Sequence, residues 1–504
     1  MIRCDAVLEP SFVIAPVPRR LFGSFVEHMG RCVYGGIFDP GDPAADENGL
    51  RTDVIELTRE LGVSVVRYPG GNFVSGYDWR DGVGPVADRP ARLDLAWRSV
   101  EPNSFGLDEF MRWATAVGTE PMMAVNLGTK GIAEACALLE YTNHPSGTAM
   151  SDLRRRHGTA DPYGIKLWCL GNEMDGPWQT GHKSAEDYGK LAAETAKAMR
   201  QVDPSIELVA CGSSNDRMPT FGQWEATVLD HTFDYVDYLS LHAYYEQFDD
   251  DQEAFLASAV AMDSFIEGIV ATCDHIAAKR RSPKRMKLSF DEWNVWYEGR
   301  FVGHTNLEWA TAPRLIEDTY TALDAVVVGN LLMSLLRHSD RIDIACQAQL
   351  VNVIAPIRSE PGISAWRQTI FHPFALTARY ARGDVLRIEP RTPTIPAGAR
   401  GEAPAVDVVA TRDPETGEVV VFAVNRHPAE SATLNVRVTT SPGLRVVDHV
   451  TLGGSDLLAT NTSEHPDNVR PTTPGNRAVS VDGVLTAELP AVSWSMIRLV
   501  PVPE

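Results

Sequence analysis

The chain has 504 residues, 44% hydrophobic and 22% charged, a globular composition with enough apolar material for a large core and more than one domain. Its formal charge of −21 repels phosphate backbones and anionic headgroups, so nucleic acid and membrane surfaces are excluded as expected partners. Seven cysteines without a Cys-x-x-Cys pair fit reduced thiols rather than a disulfide framework.

At the amino terminus, Asp5 and Glu9 stand where a signal peptide needs a basic start and an unbroken apolar run, so the expected location is cytoplasmic. Residues 6–14 nevertheless read as a strand. Short apolar runs at 20–27, 63–68, 122–126, 165–173, 206–212, 236–242, 286–292 and 342–349 then alternate with stretches of helical spacing. Asp53 with Glu56, and Ser184 with Asp187, are N-cap pairs, while Gly62 and Gly118 mark helix ends. The most apolar stretch, 325–336, is interrupted by Gly329, Asn330 and Ser334 and falls short of the ~20 residues a bilayer span requires.

Eight strands alternating with helices predict an α/β fold, a (β/α)8 TIM barrel, over residues 18–384. The alternative is a doubly wound open sheet. It would announce a nucleotide by a Gly-rich first turn, but Gly82-Val83-Gly84-Pro85 places proline where the helix must open. Beyond a Pro/Gly/Ala connector at 391–404, Val-rich alternating runs at 406–411, 418–425, 433–439, 444–452 and 492–499 predict a second, all-β sandwich domain over 385–504. Residues 1–17 are expected to join that sheet, because a lone strand is unstable.

In such a barrel, chemistry belongs to the carboxyl ends of the strands. The fourth run ends in Gly171-Asn172-Glu173 and the seventh in Asp291-Glu292-Trp293-Asn294. Either glutamate alone is as readily a helix cap or an arginine partner. Two of them across one barrel mouth are what glycoside cleavage needs, one to protonate the leaving oxygen and one to meet the oxocarbenium-like centre. Other strand ends offer Glu27, Arg67, Asn72, His242, Tyr244 and Gln349, a mixture of donors and acceptors suited to a polyol. Trp97, Trp178 and Trp296 follow the second, fourth and seventh strands and could stack on sugar rings, while Trp113 and Trp366 read as packing residues. Gly-x-Ser-x-Gly, His-Glu-x-x-His and P-loop signatures are absent, so neither a metal nor a cofactor is expected.

The segments LFGSFVEHMGRCVYGGIFDP, VVRYPGGNFVSGYDW, AVNLGT, WCLGNEMDGPWQTGHK, SLHAYY, LSFDEWNVWY and AQLVNVIAPI closely resemble the α-L-arabinofuranosidases of glycoside hydrolase family 51. The resemblance implies a jelly-roll-like second domain and a retaining exo-hydrolase removing terminal α-L-arabinofuranosyl groups from arabinoxylan and arabinan oligosaccharides. It makes Glu173 the acid/base and Glu292 the nucleophile. Glu27, Asn72, Asn172 and Gln349 would bind the sugar hydroxyls, Arg67 and Tyr244 would orient the nucleophile, His242 would support them, and Trp97, Trp178 and Trp296 would shape the mouth. It also implies a homo-oligomer, commonly a hexamer. Another retaining barrel glycosidase, such as a β-xylosidase or endoglucanase, is the enzymatic alternative. A sugar-binding protein without turnover is the other.

Overall fold

Eight parallel strands close into a barrel in chain order: Gly23–Phe25, Val65–Tyr68, Glu120–Ala124, Leu167–Leu170, Glu207–Ala210, Tyr238–Tyr245, Lys287–Val295 and Ile342–Gln347. This computed structural model describes residues 1–502 other than 302, 304–307, 399–400, 440–442 and 455. Most strands are buried along their length, as strands covered on both faces must be.

The first strand is much shorter than residues 20–27 suggest. Arg19–Phe22 forms a 3-10 turn instead, and Arg20 bridges Glu120 at 2.6 Å and Glu207 at 2.8 Å at the amino ends of the third and fifth strands. A charged side chain there serves the barrel floor rather than the ladder. The sixth and seventh strands run past their expected ends, to Tyr245 and Val295, so His242, Tyr244 and Glu292 lie within strands.

Helix boundaries follow capping chemistry. Ser184 accepts a hydrogen bond from the Asp187 amide at the start of Ala185–Val202, and Gly118, at φ 84°, closes Leu107–Val117 in the left-handed conformation that an L side chain resists. Asp53 departs from its expected role. The N-cap of helix Thr52–Leu61 is Arg51, two residues earlier, and the Asp53 carboxylate binds the buried Arg51 guanidinium at 2.7 Å. Trp366 lies on a two-stranded hairpin, Ile357–Glu360 with Ile363–Arg367.

The all-β unit is one continuous nine-stranded sheet with its own apolar core, which includes Leu8, Val408, Val421, Leu434, Leu485 and Ile497. Ile2–Pro16 sits in its interior, parallel to Ala432–Val438 and antiparallel to Asp384–Ile388. The connector carries a small hairpin, Thr394–Pro396 with Glu402–Pro404, and residues 399 and 400 within it lie outside the described residues.

Helix Ala322–Arg337 carries the apolar stretch noted above. It is buried on nearly every side because it lies between barrel and sheet. Gly329 permits the closest approach there: a Cβ on it would fall 2.4 Å from the Trp494 ring. No helix among the described residues is long and apolar enough to cross a membrane, and the seven cysteines are unpaired.

Candidate active site

A cavity of about 330 Å³ opens at the carboxyl end of the barrel. Glu27, Asn72, Trp97, Glu173, Trp178, Tyr244, Glu292, Trp296 and Gln349 all line it. A larger groove along the amino-terminal strand is an open surface lined by paired charges such as Arg3 and Asp5, and it holds no comparable convergence of groups.

Glu292 owes its aim to a β-bulge. Ser289 pairs with Ser240 and Glu292 with His242, so three steps on the seventh strand match two on the sixth. Regular alternation would send neighbouring residues to opposite faces; the extra residue lets both Asp291 and Glu292 reach one buried charge network. Arg67 Nη1 donates to Glu292 Oε1 at 2.7 Å and the Tyr244 hydroxyl donates to Oε2 at 2.7 Å. Gly71 allows the opposite loop to come close, since a Cβ there would lie 2.9 Å from Glu292 Oε1.

Glu173 stands just beyond the fourth strand with φ 42°, a left-handed conformation costly for a residue with a side chain and typical of functional turns. Trp178 Nε1 donates to its Oε2 at 2.7 Å and His242 Nδ1 to its Oε1 at 2.9 Å. Burial pushes the Glu173 carboxyl above its ordinary pKa; the His242 hydrogen bond opposes this and the charge of Glu292 adds to it.

One carboxylate oxygen from each glutamate and a His242 ring nitrogen lie within 4.8 Å of one another. Three such ligands could in principle hold a cation. Here Arg67, Tyr244 and Trp178 already occupy lone pairs of the two carboxylates, and the guanidinium adds positive charge to the spot. Burial disfavours a charged His242, but Glu292, Asp291 and Glu173 outweigh it and lift its pKa to about 10, so the ring is an imidazolium at neutral pH.

Arg67, Asn172 and His242 are not on the cavity wall. They stand behind it, each no more than 2% exposed, with Asn172 accepting from Arg67 Nη2 at 2.7 Å and donating to Asn72 Oδ1 at 3.3 Å. Glu27 receives the Phe73 amide and Trp97 Nε1, both at 2.9 Å, and Gln349 Nε2 at 3.1 Å. Burial and the charge of Glu292 push its pKa up to about 8. Gln349 lines the cavity, and its Oε1 is buried with no hydrogen-bond partner among the described residues. Trp178 is 49% exposed and Trp296 packs edge-on against Tyr244, whereas Trp97 is buried on Glu27.

Several wall residues escaped the sequence reading. Ser214, Asn215 and Arg217 follow the fifth strand, where the criterion of polar residues at a strand end marks them equally well. Ile316 and Ile354 lie in loops without periodicity. Asp291, 3.5 Å from Arg67 Nε and 3.3 Å from His242 Nε2, joins the network only because of the bulge.

Family models described as "Alpha-L-arabinofuranosidase 1 domain" and "Alpha-L-arabinofuranosidase C-terminal domain" match residues 57–255 and 291–493. An intracellular exo-α-(1→5)-L-arabinofuranosidase of Streptomyces lividans is 58% identical, over 97% of this chain and 74% of its own length. A protein of the same name from Halalkalibacterium halodurans is 52% identical over 98% of each chain. The solved family 51 α-L-arabinofuranosidase of Bifidobacterium longum superposes with a TM-score of 0.95 at 46% identity, covering 99% of each chain. With a barrel mouth that gathers two carboxyls in contrasting environments and likeness along nearly its whole length, the chain belongs to the α-L-arabinofuranosidases of glycoside hydrolase family 51 and is a glycoside hydrolase.

Proposed function

We propose that the protein is an exo-acting α-L-arabinofuranosidase that removes terminal arabinofuranosyl groups with retention of configuration, Glu292 serving as nucleophile and Glu173 as acid/base. The observation that carries this reading is the carboxyl pair, with oxygens within 4.8 Å across one cavity. Retaining glycosidases hold their carboxyls ~5–5.5 Å apart, whereas an inverting pair must leave room for a water.

Two chemically identical side chains take opposite roles because their surroundings differ. Arg67 and Tyr244 direct donors at both Glu292 oxygens, which fixes the orientation of the carboxylate that attacks the anomeric carbon. Glu173, pushed toward its acid form, protonates the departing oxygen and then, as carboxylate, draws the proton from the water that releases the sugar. The His242 imidazolium, 2.9 Å from Glu173 and 3.7 Å from Glu292, moderates the charge of both. Glu27, Asn72 and Gln349 receive the sugar hydroxyls, with Asn172 and Arg67 holding the wall in place. Trp178 and Trp296 flank the departing group.

The substrates in this reading are short arabinan and arabinoxylan oligosaccharides; the relatives' names, intracellular exo-α-(1→5)-L-arabinofuranosidases, support removal of α-(1→5)-linked arabinofuranosyl groups. Parallel assays of 4-nitrophenyl α-L-arabinofuranoside and β-D-xyloside test the substrate, and proton NMR of the first-formed arabinose tests the stereochemistry. Faster xyloside cleavage, or a β-configured first product, overturns the corresponding half of the reading.

A further inference from the structure

Besides Gln349 Nε2, two donors that the barrel strands do not supply hold Glu27. The Phe73 amide belongs to the 3-10 turn Asn72–Gly76 and the Trp97 indole to the hairpin Arg92–Asp94 with Ser99–Glu101, both in the long excursion after the second strand. Loops of that length do not hold donors to a fraction of an ångström unless something ties them down.

The tie is a buried polar cluster directly behind Glu27. His28 is 3% exposed, and its ring lies face to face with that of Phe73, centroids 4.7 Å apart at 13°. Its Nδ1 meets Glu101 Oε2 at 2.9 Å and its Nε2 meets the Tyr68 hydroxyl at 2.8 Å. Glu101 Oε1 accepts from the Asn103 amide at 2.7 Å and from the Tyr34 hydroxyl. Glu101 thus joins the hairpin bearing Trp97 to the loop after the first strand, and His28 joins both to Phe73. Neither His28 nor Glu101 lines the cavity.

A buried carboxylate is an expensive way to fill space, since apolar side chains of similar volume usually stabilise as well or better. Its value here is directional. We propose that the Glu101–His28 pair is a positioning element for Glu27, holding the Phe73 and Trp97 donors so that the Glu27 carboxyl keeps its aim into the sugar cavity. This rests on the cavity being the glycone site.

The test is a double-mutant cycle on the full chain with 4-nitrophenyl α-L-arabinofuranoside. Glu101→Gln replaces one of two accepting oxygens by an amide donor, so that either His28 Nδ1–H or the Asn103 backbone N–H loses its acceptor, at nearly constant volume. The expected result is a rise in KM of about tenfold with a smaller change in kcat, and no further loss when the substitution is added to Glu27→Ala, because Glu101 acts through Glu27. An unchanged KM with only a lowered Tm, or losses that multiply in the double variant, overturns the proposal. Should Glu101→Gln fail to fold, Tyr34→Phe removes one hydrogen bond to Glu101 and must raise KM in the same direction. A wild-type enzyme inactive on the arabinofuranoside overturns the substrate reading instead, and the cycle is then read with the β-D-xyloside.

Discussion

Glu173 and Glu292, from the fourth and seventh barrel strands, direct carboxylate oxygens to within 4.8 Å of each other across a shared imidazole. Burial and the neighbouring anion raise the pKa of Glu173, while a guanidinium and a phenol bind Glu292. That asymmetry leads to distinct consequences for each side chain.

Removing the Glu292 carboxyl deletes the attacking group. Glu292→Ala is expected to lower kcat by at least about 10³-fold on every arabinofuranoside while circular dichroism stays native. Retention of wild-type turnover would falsify the nucleophile assignment.

Glu173→Ala removes the proton donor, and its effect depends on the leaving group. A nitrophenolate departs without much protonation, so first-step cleavage of the aryl arabinofuranoside suffers less than that of an arabino-oligosaccharide, by about tenfold or more. Pre-steady-state measurement of both substrates checks this, and equal losses sink the acid role.

Gly71→Ala places a Cβ 2.9 Å from Glu292 Oε1, an atom already held 2.7 Å from Arg67 Nη1. The carboxylate must shift, and kcat/KM is expected to fall about 10–100-fold with little change in Tm. Activity within twofold of wild type would show that the carboxylate has freedom the geometry denies it.

His242 titrates in the folded protein at about 10 instead of 6.5. A raised pKa means that its stabilising contribution is complete below pH 6.5 and disappears as pH climbs through 10. The Tm gap between wild type and His242→Gln should therefore narrow over that interval. A gap independent of pH contradicts the imidazolium.

Asp407 joins sheet to barrel, 2.8 Å from both the buried Arg426 guanidinium and Asn330 Nδ2, and it also pairs with Arg337. Burial would raise its pKa, but the two arginines outweigh this and lower it from 3.8 to about 2. Its contribution is present above pH 3.8 and lost as pH falls toward 2. Asp407→Ala leaves the buried Arg426 without its carboxylate, while Arg337 keeps Asp263 at 2.7 Å, and should destabilise by about 3–5 kcal/mol in thermal unfolding at pH 7. A loss below about 1 kcal/mol would mean that the arginines find other partners.

The order of apolar runs and helical stretches determined the barrel, because strands covered on both faces and helices with one apolar side leave periodic traces in a linear sequence. The strand-end positions of Glu173 and Gln349 were legible for the same reason. Periodicity is silent where the backbone departs from regularity. Only the tertiary structure decided that a bulge sends Asp291 inward beside Glu292, that Arg20 seals the barrel floor and that Asn172 stands behind Asn72. Each of those placements depends on which chain segments come together across the barrel, and such long-range pairings carry no local signature.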